Sequence, residues 1–193
     1  MSLRSNDRQW GAVAKFFHWI IALAIIGNGT FALLIDLARS PMQKINWIAL
    51  HKSIGLTVLA LLLLRVLWRW LDQRPLEEVA PRWQQWAARV VHGTLYALIL
   101  ALPLSGWWFN SVAGKPLQWF KLFNLPALTA KNEELSGWVH GVHEYLFWFL
   151  LLVLVAHVGA ALKHHLKDND NVLRRMLPFA RLRDGSTSKG ERP

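Results

Sequence analysis

The sequence predicts an all-α integral membrane protein, a bundle of four helices that span the bilayer. Three observations favour this fold class. The 193 residues are 53% hydrophobic and only 18% charged, which is more apolar than typical soluble domains. Four apolar stretches are each long enough to cross a bilayer, which takes about 20 residues of helix. Basic residues also concentrate on one side of these stretches, as in membrane proteins with a fixed orientation.

The four helices are expected at about residues 16–35, 47–68, 90–110 and 138–162. Each contains glycine, which allows a neighbouring helix or a cofactor to approach closely. One compact bundle is the architecture that these segments favour, with cofactor sites between facing helices. We expect it to form a single domain over residues 1–178.

The connecting segments contain proline or are polar. An inner loop around residues 73–82 holds Pro75 and Pro81, which should end the helix there. A longer outer loop, residues 111–137, carries the aromatic run LQWFKLF, expected at the membrane interface where tryptophan anchors are favoured. The basic tail, residues 179–193, has little to bury, and we expect it to be disordered.

The distribution of charge predicts the orientation. With the amino terminus in the cytoplasm, 16 of the 22 lysines and arginines lie on the cytoplasmic side. The other side has only Arg39, Lys44, Lys52, Lys115, Lys121 and Lys131. This excess of positive charge inside predicts that both termini are cytoplasmic. The net charge of +10 is therefore attributed to topology and to contact with anionic lipid, and not to a nucleic-acid partner.

The chain has no cysteine. Iron–sulfur clusters, disulfides and covalent haem attachment through a C-x-x-C-H motif are therefore excluded. Any redox cofactor has to be held by histidine or by non-covalent packing.

Four of the eight histidines lie near the ends of apolar segments, at His18, His51, His143 and His157. Histidine is costly in hydrocarbon, so an intramembrane histidine indicates a functional site. The alternating direction of the helices places His18 and His157 near the inner surface, and His51 and His143 near the outer one. Two depth-matched pairs result, and each favours a haem iron held from both sides by imidazole.

The spacing on the fourth helix supports this interpretation. His143 and His157 are 14 residues apart, which is about 21 Å along a helix and about 40° around it. They share a face at a separation that suits two haems stacked across the bilayer and is far too long for one metal. Iron with two axial histidines is six-coordinate, which favours electron transfer over oxygen binding. The ring nitrogen that does not bind iron should donate a hydrogen bond.

Other histidines leave alternatives open. His92, at the inner end of the third helix, is a rival inner ligand or a contact of the haem. His140 lies one turn from His143 and is an alternative outer ligand. Zinc usually takes three or four clustered ligands, and only His140 with His143, or His164 with His165, approach that pattern. An isolated membrane histidine can also simply bind a neighbouring helix.

The segments AKFFHWI, ALHKSIG, RVVHGTLYALILALPLSGW and VHEYLFWFLLLVLVAHVGAALKHH resemble the bacterial cytochrome b561 family. The resemblance runs from about Arg8 to Pro178. It implies a di-haem b cytochrome of the inner membrane, with His18 and His157 on the inner haem and His51 and His143 on the outer one. The arrangement is also similar to that of membrane cytochrome subunits of formate dehydrogenase and hydrogenase.

The resemblance further implies electron exchange with ubiquinone, and some members of the family oxidise superoxide to O2 on the periplasmic side. Lys52 and Lys115 at the outer mouth would steer that anion. His164 is a candidate for the quinone site, because it follows His157 on nearly the same face and can carry protons near neutral pH. Arg8 and Arg89 are candidate contacts of the inner haem propionates.

We therefore expect a cytochrome that passes electrons from superoxide to ubiquinone. One alternative is a subunit that passes electrons from a periplasmic dehydrogenase or hydrogenase to quinone. Another is a haem-free transporter that uses histidines for protons or metal.

Overall fold

The computed structural model describes residues 2–76 and 80–182, and it confirms the predicted four-helix fold class. Each long helix is apolar enough to cross a membrane. The helices are α1 Ala12–Leu34, α2 Pro41–Leu71, α3 Arg82–Val112 and α4 Glu133–Lys163. A 3₁₀ turn, Ile35–Leu37, follows α1. Of the tail predicted to be disordered, residues 183–193 lie outside the described part of the chain.

The helices extend beyond the apolar stretches that predicted them. At 31 residues, α2 is about 46 Å long, whereas the hydrocarbon core is about 30 Å thick. Its first turn is capped by Ser40, whose hydroxyl accepts the Gln43 N–H at 3.2 Å. Asn132 caps α4 by accepting the Leu135 N–H at 3.1 Å. These caps lie in polar segments, so the helices start outside the hydrocarbon core.

The helices pack as two antiparallel pairs. Helix α1 packs on α2, α3 packs on α4, and α2 and α3 also contact each other. The central core is the apolar cluster of Leu95, Leu98 and Leu150. Many other large apolar side chains are exposed, as expected of surfaces that face lipid. His18 and His157 lie on one side of this central cluster, and His51 and His143 lie on the other.

A β-hairpin covers one end of the bundle, which we call the outer end. Strand β1, Leu117–Trp119, pairs antiparallel with β2, Phe123–Leu125, so the predicted aromatic loop contains strands. The Phe120 N–H donates to Ser53 Oγ at 2.9 Å, and Trp119 Nε1 donates to Thr57 Oγ1 at 3.0 Å. The hairpin is therefore fixed to the outer half of α2.

The amino-terminal arm packs at the opposite end, which we call the inner end. Asp72 accepts hydrogen bonds from the Ser5 N–H at 3.0 Å and from the Ser5 hydroxyl at 2.5 Å. A Cβ atom added at Gly11 would lie 2.4 Å from the backbone of Leu3 and Arg4, so only glycine fits there. Beyond α4, a π-helical segment, His164–Asp168, leads into α5, Val172–Met176.

Candidate functional site

His51 of α2 and His143 of α4 face each other at the outer end. Their ring centroids are 6.4 Å apart and their planes are nearly perpendicular, at 88°. Both side chains are half-buried. His140, the predicted alternative partner, is exposed and lies against the Phe109 ring at 4.9 Å. The outer pair therefore forms between His51 and His143.

Ser105 fixes the tautomer of His143. Its hydroxyl donates to the Leu102 carbonyl at 2.8 Å and lies 2.9 Å from Nδ1 of His143. A serine hydroxyl has a single proton to donate, so the serine oxygen accepts the Nδ1 proton of His143. The lone pair of Nε2 is then free to bind a metal.

A cleft that is open to solvent adjoins the outer pair and is lined by residues of all four helices. Its wall is mostly apolar and includes Gly29, Gly55 and Pro103. A Cβ at Gly29 would come within 3.0 Å of the Phe147 ring. Proline within α3 removes one backbone hydrogen bond. Small residues and a helix irregularity thus border the cleft.

The inner end contains a group of three histidines. The ring centroids of His18 on α1 and His157 on α4 are 6.3 Å apart. His92 on α3 lies closer to His157, at 5.3 Å. Helix α4 therefore contributes one histidine to each end, as its 14-residue spacing predicted, and α1 and α2 contribute their partners.

Two arginines of α2 face a second cavity beside the inner histidines. Arg65 Nη2 lies 3.3 Å from Nδ1 of His18, and Arg65 and Arg69 both line a cavity that opens to solvent. Arg8 and Arg89, the predicted propionate contacts, are exposed and do not line this cavity. Depth and charge alone could not show which arginines point inward.

His164 lies in a polar cluster where α4 ends. Its Nδ1 donates to Asp170 at 2.5 Å and lies 3.4 Å from Asp168. Asp168 is also paired with Lys163 at 2.7 Å. Lys163 and Asp168 therefore lie beside His164. Asp170 is a further partner that helical spacing does not predict, because the chain turns at Asn169 (φ 55°).

Three outer lysines, Lys52, Lys115 and Lys121, lack a carboxylate partner among residues 2–76 and 80–182. Lys131 pairs with Glu133 at 2.6 Å, and Lys121 donates to Asn46 at 3.4 Å. Among the described residues, Lys52 and Lys115 have no ion-pair partner, and their positive charges repel each other. Lys52 directly follows His51, and Lys115 precedes the hairpin.

The model of the family described as prokaryotic cytochrome b561 matches residues 9–179, nearly the whole chain. The chain belongs to this family. The protein is therefore a membrane electron-transfer cytochrome, and membership of the family implies haem b.

Individual relatives agree with this assignment. Cytochrome b561 homolog 2 of Escherichia coli (strain K12) is 33% identical over 180 residues, covering 92% of this chain and 95% of the relative. Cytochrome b561 homolog 1 of the same strain is 30% identical, covering 84% and 93%. The probable superoxide oxidase CybB of Yersinia pestis is 29% identical, covering 90% and 98%.

The spacing of both histidine pairs in this b561-family protein fits haem. An imidazole nitrogen binds a transition metal at about 2 Å, so two imidazoles on opposite sides of one iron have ring centroids about 6 Å apart. The measured separations of 6.3 Å and 6.4 Å agree with this value. The ring centroids of His92 and His157 are 5.3 Å apart. This separation is shorter than the value expected for two axial ligands of one iron, so His92 fits a position beside the cofactor.

The inner site differs from the outer one in its proton arrangement. A guanidinium only donates, so the contact with Arg65 makes Nδ1 of His18 an acceptor and leaves the proton on Nε2. Iron binding at Nε2 requires the opposite tautomer, with Nδ1 protonated. Arg65 must then donate to another acceptor.

Proposed function

We propose that this protein is a di-haem b cytochrome that carries electrons across the inner membrane from a periplasmic donor to ubiquinone. The observation that carries the proposal is the pair of histidines at each end of the bundle, both spaced for bis-histidine ligation and joined through α4. Bound haem iron takes up and releases single electrons; the protein holds two such groups about 20 Å apart.

In this proposal, His18 and His157 hold the inner haem, and His51 and His143 hold the outer one. Ser105 supports the outer assignment because it leaves Nε2 of His143 free. His92 contacts the inner haem without ligating it. The apolar cluster of Leu95, Leu98 and Leu150 lies between the two sites and excludes water from the space between them.

The proposed donor is superoxide. Its one-electron oxidation yields O2 without proton transfer, so the outer site needs only to attract a small anion and let it approach the haem. Lys52 and Lys115, which have no described carboxylate partner, would raise the local concentration of that anion. The similarity to a relative named as a probable superoxide oxidase supports this choice of donor.

The proposed acceptor is ubiquinone at the inner end. Its reduction to ubiquinol consumes two electrons, from two superoxide ions, and two protons. Because Asp170 accepts the Nδ1 proton of His164, Nε2 of His164 carries the lone pair. It would take up a proton from the cytoplasmic side and then pass that proton to a quinone oxygen. The inner end then faces the cytoplasm, in agreement with the predicted positive-inside orientation.

Optical spectroscopy and stopped-flow kinetics test the proposal. Purified protein should show a b-type α-band on reduction and contain two haems per chain. Superoxide should reduce these haems, and added ubiquinone should reoxidise them. His143→Ala should leave one haem per chain. Retention of two haems in that variant would move the outer ligand to another histidine, such as His140.

The outcomes also separate the alternatives. A haem spectrum without superoxide-dependent reduction would favour a subunit that receives electrons from a periplasmic dehydrogenase or hydrogenase, and that partner should copurify. Absence of any b-type α-band would favour a transporter that uses the histidines for protons or metal.

A further inference from the structure

We propose that Arg65, Arg69 and Trp68 form an anion site that binds the carboxylates of the inner haem. This inference rests on the proposed di-haem function and names protein groups that hold the propionate edge of the cofactor. It also replaces Arg8 and Arg89 in that role.

Positive charge exceeds negative charge among the residues that line the inner cavity. The guanidinium groups of Arg65 and Arg69 lie 5.4 Å and 5.8 Å from the same ring, that of Tyr96. Within residues 2–76 and 80–182, neither forms an ion pair. Two like charges in a partly buried cavity are costly unless an opposite charge compensates them.

The acidic residue of the cavity is already engaged elsewhere. Asp72 lines the cavity, but its two oxygens accept the N–H and the hydroxyl of Ser5. It therefore orders the amino-terminal arm, and two arginine charges face one carboxylate. One further carboxylate would complete the charge balance, and a second could accept the remaining hydrogen bonds.

One hydrogen-bond donor that lines the cavity also lacks an acceptor among residues 2–76 and 80–182. The indole Nε1 of Trp68, which also lines the cavity, is buried and has no hydrogen-bond partner in the described part of the chain. Indole N–H and guanidinium groups can only donate, so the ligand they fit is an acceptor. Carboxylates match this need, since charge-assisted bonds from arginine to carboxylate are often bidentate.

The position of the cavity identifies which carboxylates these are. Arg65 reaches from the cavity to the ring of His18, at 3.3 Å. When His18 binds iron through Nε2, Arg65 loses this acceptor and must find another one nearby. The propionates are the anionic groups of a haem held by His18 and His157. Trp10, whose ring lies 5.8 Å from the Arg69 guanidinium, encloses the site from the arm.

The test measures the inner haem alone, in full-length protein carrying His143→Ala to remove the outer haem. Haem b and its dimethyl ester, which lacks both carboxylate charges, are bound in parallel. We expect haem b to bind better than the ester, and this preference to fall by about tenfold in Arg65→Gln and in Arg69→Gln. Arg69→Lys keeps the positive charge and should therefore retain more of the preference for haem b than Arg69→Gln. Arg74→Gln, at an exposed arginine outside the cavity, is the control.

The midpoint potential gives a second readout. Removing a positive charge near the haem stabilises the ferric form, so Arg65→Gln and Arg69→Gln should lower the potential of the inner haem, whereas Arg74→Gln should leave it unchanged. If Arg65→Gln and Arg69→Gln change neither the potential nor the preference for haem b over the ester, the inference is overturned. It is also overturned if Arg89→Gln loses this preference while these two variants keep it.

Anionic lipid is the other source of an acceptor. The midpoint potential of the inner haem is measured in nanodiscs of phosphatidylcholine with and without phosphatidylglycerol. If the propionates occupy the site, we expect the same potential in both membranes. A potential that depends on phosphatidylglycerol in the parent protein but not in Arg69→Gln would assign the site to a lipid phosphate and refute the proposal. A parent protein that binds no haem would instead refute the proposed function itself.

Discussion

The hydroxyl of Ser105 determines which nitrogen of His143 is available to a metal. Because this hydroxyl is committed to the Leu102 carbonyl, it accepts from the imidazole and orients the ring. Such partners of a ligating histidine also raise its basicity. A serine on α3 therefore prepares a histidine on α4 for its proposed role.

We expect Ser105→Ala to weaken retention of the outer haem by about 10- to 100-fold, the usual effect of removing such a partner. Haem content after detergent dialysis measures this. Ser111→Ala is a matched control, since Ser111 is equally buried on the same helix but binds Trp107 and Leu128. Equal losses in both variants would assign Ser105 to helix stability alone.

His164 owes its orientation to Asp170, which fixes the proton on Nδ1. We expect His164→Ala and Asp170→Asn to keep both haems and to slow haem reoxidation by ubiquinone, with Asp170→Asn the milder of the two. Asp168→Asn is the control, because Asp168 bonds most closely to Lys163. Stopped-flow reoxidation at several quinone concentrations separates binding from proton delivery. Unchanged kinetics in His164→Ala would place quinone reduction elsewhere.

At the scale of the elements, apolar runs predicted all four helices but neither their ends nor the hairpin. The helix starts depend on caps such as Ser40 and Asn132, which lie outside the hydrophobic windows. The hairpin turn has positive φ at Phe120 and Lys121, 45° and 62°, where glycine or asparagine is the usual sequence signal. Tertiary hydrogen bonds to α2 hold this turn, and such bonds leave no trace in the local sequence.

The strained turn makes Ser53 important for stability. We expect Ser53→Ala to lower the free energy of unfolding by about 1–2 kcal/mol, because the Phe120 N–H loses its acceptor. Thermal unfolding in detergent, followed by circular dichroism, measures the effect. The exposed hairpin residue Asn124 supplies the control: Asn124→Ala should unfold at nearly the parent temperature. A comparable loss in both variants would mean that the hairpin contributes little through Ser53.

At the scale of the whole molecule, the sequence predicted the paired histidines better than their surroundings. Helical phase and depth were enough to pair His51 with His143 and His18 with His157, because both quantities follow from regular helix geometry. The arginines were harder. Charge distribution places Arg65 and Arg69 among the cytoplasmic basic residues and does not show that they face a cavity, although an arginine within a predicted span, such as Arg65, indicates a functional site.

Positive charge at the outer end predicts that the rate of haem reduction by superoxide depends on ionic strength. Lys52 and Lys115 should attract superoxide over a distance that salt shortens, since the screening length falls from about 10 Å at 0.1 M to about 3 Å at 1 M. We expect Lys52→Gln and Lys115→Gln to slow haem reduction several-fold at low ionic strength and to converge with the parent protein at high ionic strength. Lys131→Gln is the control, because Glu133 already neutralises Lys131. Equal slowing in all three variants would indicate a general effect of net charge, and equal rates in all would remove steering from the proposed mechanism.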